Sequence, residues 1–448
     1  MKTKKNSHSL TGLAENLISF GRKQGADEIE VSIFDSSEFT TDLRFGKIEN
    51  LVEAGSKYIS IKVIKDKKTS FTTSSDLKKD TLEFLVKNAV KRTTMSNFDE
   101  FAGLPSIQES KINIHSLNLF DPKIVGMDNE KKIFLAKETE RIALKDKRIT
   151  NSHGANFNTR EIKTILINSN GFSNEYDETF CNLSIGLQAG GIDNKVEGYW
   201  FSSKRHLEEL DSPEEVAKKA VARTVRLLNP KKITTQNTPV IFEPMMTSWL
   251  LSFLFTCISG ESIYQKTSFL VDKLGEKIGN EKITVYDDGL SPRKLGTIPF
   301  DSEGVPSQKT TVIEKGVLKN YLCNTYTARK LKLKSTGNAS GNSIGPTNFY
   351  LQAGYLKPEE IISSMKKGLI LARTIGQGLN PVTGDISRGA FGLWVENGEV
   401  VYPVSEITIS GKLGTVLNDI EIIGNDLSYQ SIYSGPTIKI GELTVAGK

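Results

Sequence analysis

"TSWLLSFLFTCISGES", Thr247 to Ser262, is a nearly unbroken apolar run in a chain that is otherwise ordinary and charged. Ser248, Ser252 and Thr256 are four residues apart, so a helix lines them up on one stripe. Trp249, Leu250, Leu251, Phe253, Leu254 and Phe255 cover the rest of its surface. A helix that is apolar nearly all round is a buried helix. Its small hydroxyls bond back to the carbonyl four residues earlier and need no outside partner. Gly260 reads as its C-terminal stop. The stretch sets a core helix at the head of a glycine-rich third segment and leaves it without charged chemistry.

The rest of the chain bounds what that helix serves. Its 448 residues, 38% apolar and 25% charged, fit a globular protein of about three domains. The net charge of +5 comes from 58 basic and 53 acidic side chains. These are mixed almost everywhere, with no basic face of the kind that neutralises phosphates, so no nucleic-acid partner is expected. "MKTKKNSHSLTGLAENL" carries lysines but no apolar core of signal-peptide length. The run from Trp249 to Ile258 is too short to span a bilayer. No membrane partner and a cytoplasmic location follow as expectations. Cys181, Cys257 and Cys323 lie far apart without a CxxC pair, which suits buried free thiols.

Three segments emerge, and the class they predict is α+β: two small N-terminal α/β domains and a larger strand-rich C-terminal one. In residues 1–100, "SLTGLAENLISFGRKQGA" is a helix ending at Gly25, and "EIEVSIF", "EFTTDLRF" and "KYISIKVI" alternate as strands before the helix "DLKKDTLEFLVKNAVKRT". Residues 107–229 repeat the recipe: the helix "DNEKKIFLAKETERIALK", strands near Ile149, Lys163 and Asn182, and a closing helix "SPEEVAKKAVARTVRLL". Ser212 is its N-cap and Pro213 its first helical residue. Residues 232–448 hold short strand-like pieces divided by glycines, with two helical signals, the opening stretch and "KPEEIISSMKKGLI".

Few side chains here invite catalysis. Glu261 sits beside the helix end as a lone carboxylate and is expected to face solvent or cap a backbone group. His206, in "SSKRHLEEL", has no second histidine at helical spacing and reads as a surface residue. Cys257 and Cys323 have no histidine nearby in sequence to activate them. The loop "KSTGNASGNSIGPTN", Lys334 to Asn348, lacks the Gly-Lys-Ser/Thr of a phosphate loop. It reads either as a turn needing positive φ at its glycines or as a lining of a cleft. "TGDISRG" and "FDSEG" are turn chemistry first and cleft lining second.

Taken together, "TSFLVDKLGEKI", "VYDDG", "PFDSEGVP", "GVLKNYLCNTYTARKLKLKSTGNAS", "TNFYLQAG", "VTGDISRGAFGLWVENGEVVYPVSEITISG" and "NDL" resemble, in order and spacing, the TldD/PmbA peptidase family. "GADEIEVSIF" and Gly46 to Asn50 extend the likeness to the N-terminal domain. In the TldD branch the equivalent helix carries HExxxH, whose histidines bind zinc and whose glutamate is the general base. Counting back without gaps from Thr267 and Ser268 puts those positions on Leu251, Ser252 and Thr256. The TldD branch also supplies a cysteine ligand near its C-terminus, where "NDLSYQSIYSGPTIKIGELTVAGK" has none. His8, His115, His153 and His206 all precede the third segment.

The resemblance therefore implies the PmbA (TldE) branch. This chain is expected to hold no catalytic residue and no metal, to leave zinc to a TldD-like partner subunit, and to complete a cleft for unfolded peptides. It implies substrate contacts from Thr267, Arg329, Asn338 and Asn348, and a dimer, with the partner or with itself, joined mainly after Lys232. The alternative is a stand-alone homodimeric peptide-binding protein. An older family label, modulator of DNA gyrase, fits peptide toxins or their antidotes better than DNA contact.

Overall fold

The structure, a computed structural model, describes residues 4–106, 112–191 and 194–447. The expected domain edges at residues 1, 107 and 448 lie outside the described residues.

Helix α1 (Lys4–Lys23) gives way at Gly25, whose φ of +90° closes the turn into strand β1 (Glu28–Arg44). The two short strands expected here are one long strand. It returns as β2 (Lys47–Lys65), then β3 (Lys68–Ser74) and helix α2 (Lys79–Arg92). After a single turn α3 (Pro122–Val125) come α4 (Asn129–Ala143), β4 (Ile149–Asn168), β5 (Ser173–Ala189), β6 (Val196–Lys204) and α5 (Pro213–Val225). The α5 terminus has Ser212 as N-cap and Pro213 at the first position, as read, and the structure adds Glu215 as the other half of a reciprocal capping box.

Among the described residues these strands make one six-stranded sheet, ordered β3-β2-β1-β4-β5-β6. The two N-terminal units are therefore joined: β1 pairs antiparallel with β4 from Glu30↔Asn168 to Leu43↔Ala155. One face carries Ile29, Val31, Ile33, Ile59, Ile61 and Val63 against α1 and α2. Farther along, Phe157, Leu183 and Ile185 pack with Ala136 of α4 and Val216 of α5. Helices α1, α2, α4 and α5 cover that face. The other meets the C-terminal unit, where buried Arg205 donates to Glu178 and to the carbonyls of Lys294, Leu295 and Thr297, all within 2.8 Å. The guanidinium supplies a planar fork of donors that several acceptors can share.

The C-terminal unit runs β7 (Gln236–Phe242), α6 (Pro244–Ile258), α7 (Gly260–Tyr264), β8 (Val285–Asp288), β9 (Lys309–Glu314), β10 (Val317–Leu318) and α8 (Thr325–Leu331). It continues with β11 (Ala339–Ser340), β12 (Ser343–Ile344), β13 (Phe349–Leu351), α9 (Pro358–Ser363), β14 (Lys367–Ile375), β15 (Leu379–Asn380) and β16 (Asp385–Glu396). Last come β17 (Glu399–Lys412), α10 (Leu413–Asn418), β18 (Ile420–Ile423), β19 (Tyr433–Ser434) and β20 (Ile438–Ala446). Strands β14, β7, β20, β17 and β16 close into a ring, because β14 pairs with both β7 and β16. A five-stranded sheet, β10-β9-β8-β13-β19, lies apart from it.

Helix α6 touches β7 and β14 of the ring and β13 and β19 of the sheet. That sandwich is why it is apolar on nearly every side. Each Leu or Phe so buried contributes roughly 1.5–3 kcal/mol. Two expectations are corrected here. "KPEEIISSMKKGLI" is helical only through Ser363, and "KGLILARTI" is strand β14. Gly368 lies against the Pro239 carbonyl, too close for any side chain. Gly260 is not a left-handed stop either: it opens α7, and its N–H donates to the Leu322 carbonyl at 2.7 Å. A Cβ there would lie 2.7 Å from Cys323 Sγ, so close approach is what requires glycine.

Candidate functional site

The positions that matter most lie on α6. Leu251 is 3% exposed, and a Cβ on Gly435 would come within 3.3 Å of its Cδ1. Ser252 is half-buried, and its hydroxyl donates to the Trp249 carbonyl at 2.7 Å. Thr256 is exposed and its hydroxyl donates to the Ser252 carbonyl at 3.2 Å, as Ser248 does to Pro244 at 2.8 Å. The back-bonding expected of these hydroxyls is present, with Ser252 reaching three residues back instead of four. Such a slot does not fit zinc. Leu251 has no donor atom, and the two hydroxyls are turned into their own helix, where a catalytic zinc takes His, Cys or carboxylate ligands. Among the described residues no three His, Cys, Asp or Glu side chains converge as a metal site.

Neighbouring candidates take structural places. Glu261 is exposed and its carboxylate accepts from the Gln265 amide at 3.2 Å. Cys257 and Cys323 are buried free thiols, pushed by burial up to about 12 and about 11. Burial outweighs the one neighbour that favours the Cys323 thiolate, the Thr327 hydroxyl, and for Cys257 burial is the cause of the shift. His206 is not the surface residue expected. It is 5% exposed, with Nε2 2.8 Å from the Asn118 carbonyl and Nδ1 3.9 Å from Asp121. The two acids after it in sequence reach outward to Arg293 instead.

The four expected substrate contacts are not gathered in one place. Asn338 is buried, with its amide donating to Asp287 at 2.7 Å and to the Gly345 carbonyl at 3.0 Å. Asn348 is buried too, donating to the Asp288 carbonyl at 2.6 Å and Thr297 at 3.0 Å, and accepting from Gly296 N–H. Both amides are engaged in holding the loop to β8, so neither offers a free donor to a ligand. Within that loop Gly337 and Gly341 do take positive φ. Arg329 donates from Nη1 to the Phe101 and Gly103 carbonyls and from Nη2 to Leu104, all within 2.9 Å. It clamps the interdomain linker. Thr267 is exposed and its hydroxyl donates to the Ser262 carbonyl.

Between β9, α8 and the linker opens a cavity of about 910 Å³, with Lys309, Asn320, Tyr321, Arg329 and Lys334 in its wall. Clefts of that size at a domain junction are where ligands bind. Three carboxyls near this junction went unread in the sequence. Burial pushes Asp287 up to about 6 and Asp301 to about 7, the latter with help from Glu303. Glu30, on the sheet face that meets the C-terminal unit, is pushed to about 7 by burial, with Glu303 and Glu28 adding. "FDSEG" marked Asp301 only as part of a turn, "VYDDG" placed Asp287 in a strand-like piece, and Glu30 had only its place among apolar strand residues.

Models of the PmbA/TldA metallopeptidase match this chain in three consecutive blocks: domain 1 over residues 29–93, the central domain over 122–228 and the C-terminal domain over 235–447. Metalloprotease PmbA of Escherichia coli O157:H7 is 33% identical over 96% of this chain and 93% of its own length. Among solved structures, a Bacteroides thetaiotaomicron protein described as a modulator of DNA gyrase superposes with a TM-score of 0.92 at 28% identity, covering 100% of both chains. TldE from Thermococcus kodakarensis superposes with a TM-score of 0.85 over 97% of this chain and 100% of its own, at 24% identity, and shares the fold.

Proposed function

This chain belongs to the PmbA/TldD metallopeptidase family, and from that premise we propose that it is the non-catalytic subunit of a two-subunit peptidase. One stretch supports the reading: Leu251, Ser252 and Thr256, the positions that an ungapped count aligns with the HExxxH of the family's active branch, have side chains that are buried or hydrogen-bonded into their own helix. Catalytic zinc needs about three protein ligands and one open position, and this helix supplies none. The zinc and the general base then belong to a TldD-like partner. This chain's part is to complete the wall of the peptide cleft, and extended, unfolded segments are the substrate class, since backbone pairing with a strand edge tolerates any sequence.

The test is reconstitution. Mixed with a TldD-like chain, this protein should form a complex by size-exclusion chromatography with light scattering. The complex should cleave an unfolded peptide that neither chain alone cleaves at a comparable rate, and a chelator should abolish the cleavage. A chain that self-associates, ignores the partner and still binds peptide would mark it as a stand-alone peptide-binding protein and overturn the subunit reading.

A further inference from the structure

Arg388 stands where an apolar side chain is expected. On β16 the alternation of a strand places it on the same face as Ile386 and Ala390, both of which belong to the main C-terminal core. The arginine is half-buried among them and its guanidinium carbon lies 5.2 Å above the ring of Trp249, on α6. Among the described residues no carboxylate lies within ion-pairing distance of it. Among the described residues its side chain makes one hydrogen bond, a long one from Nε to the Ile375 carbonyl at 3.5 Å. Burial alone lowers its pKa, with no neighbouring charge contributing. The indole N–H of Trp249 is also buried and finds no acceptor among the described residues. Trp249 lies one turn from Ser252 on α6. A partly desolvated guanidinium without a counter-charge, backed by an aromatic ring, is half of a recognition pair.

We propose that Arg388, stacked on Trp249, forms a carboxylate-binding subsite beside the metal-less helix, and that its ligand is the carboxylate of a peptide. The inference rests on the peptide-cleft reading above and names what the cleft grips. A carboxylate would accept two N–H bonds from the guanidinium fork and supply the missing charge. The peptide's C-terminus and an internal acidic side chain share that chemistry.

The experiment uses the full chain alone and one short unstructured peptide in three forms: free acid, C-terminal amide, and amide with an internal glutamate. Binding is followed by calorimetry and by Trp fluorescence, with Trp249→Phe identifying the reporter. The free acid should bind, and Arg388→Gln should weaken it roughly 10- to 100-fold, the range for losing hydrogen bonds to a charged group. Arg388→Lys should restore only part, because the ammonium lacks the planar fork. A tight free acid with a weak amide assigns the C-terminus; an internal-glutamate amide that matches the free acid assigns an acidic side chain. Equal affinity for all three forms, or Arg388→Gln binding like the parent while folded by circular dichroism, would overturn the subsite. Because no partner is present, failure here is distinct from failure of reconstitution.

Discussion

Glu30 is 7% exposed and, among the described residues, one of its carboxylate oxygens has no hydrogen-bond partner. It faces Lys62 directly across β1 and β2, and Lys62 Nζ lies 4.0 Å from Glu303 on the C-terminal side. Burial raises the Glu30 pKa from 4.5 to about 7. A raised folded-state pKa means that the folded protein holds the proton more tightly. The stabilisation is full below about pH 4.5 and is lost as pH rises through 7. From this group alone, stability should fall by up to roughly 3 kcal/mol between those limits. Glu30→Gln removes the titration, so urea midpoints at pH 5 and pH 8 should draw together in the variant. An unchanged pH difference would show that Glu30 ionises freely. Nothing in "EIEVSIF" announces this; alternation tells which face Glu30 takes, and only the docked C-terminal unit makes that face dry.

Elements differ in how far their reading is local. The α5 terminus was legible because Ser212 and Pro213 act within one turn. Strand β14 was misread because "GLILA" is a continuous apolar run, which periodicity cannot divide between a buried helix and a buried strand. Pairing with β7 and β16 decided it. At the end of α6 the sequence marked Gly260 for the wrong reason, since its neighbour is Cys323, 63 positions on. Gly260→Ala would set a Cβ 3.0 Å from the Leu322 carbonyl and from Thr327 Oγ1. It should cost about 1–3 kcal/mol, the range for overpacking a dense core, and thermal unfolding checks it. Helix α8 makes the complementary case: Tyr326 donates to Asp99 at 2.6 Å and Arg329 holds three linker carbonyls. Arg329→Ala should raise hydrogen exchange around residues 99–105 by an order of magnitude or more, since hydrogen bonds to charged groups are worth about 1.5–3 kcal/mol each. Unchanged exchange there would mean that the linker is held by packing alone.

For the whole molecule, one sheet spans what composition divided into two units, because β1 finds β4 more than a hundred residues away and no local signal records that pairing. The ring of strands and the separate sheet then enclose α6, and the helix that decided the reading of the sequence becomes the structural centre of the C-terminal unit. Its apolar character was legible; Arg388 was not, because its oddity appears only once β16 turns it toward Trp249. The central claim is that this fold keeps the scaffold of a metallopeptidase and delegates the metal. It is tested most directly by purifying the chain alone in zinc-supplemented buffer, measuring bound metal by mass spectrometry, and assaying an unfolded peptide with and without chelator. The account predicts no stoichiometric zinc and no chelator-sensitive cleavage. Zinc bound one to one together with chelator-sensitive hydrolysis by the chain alone would contradict it.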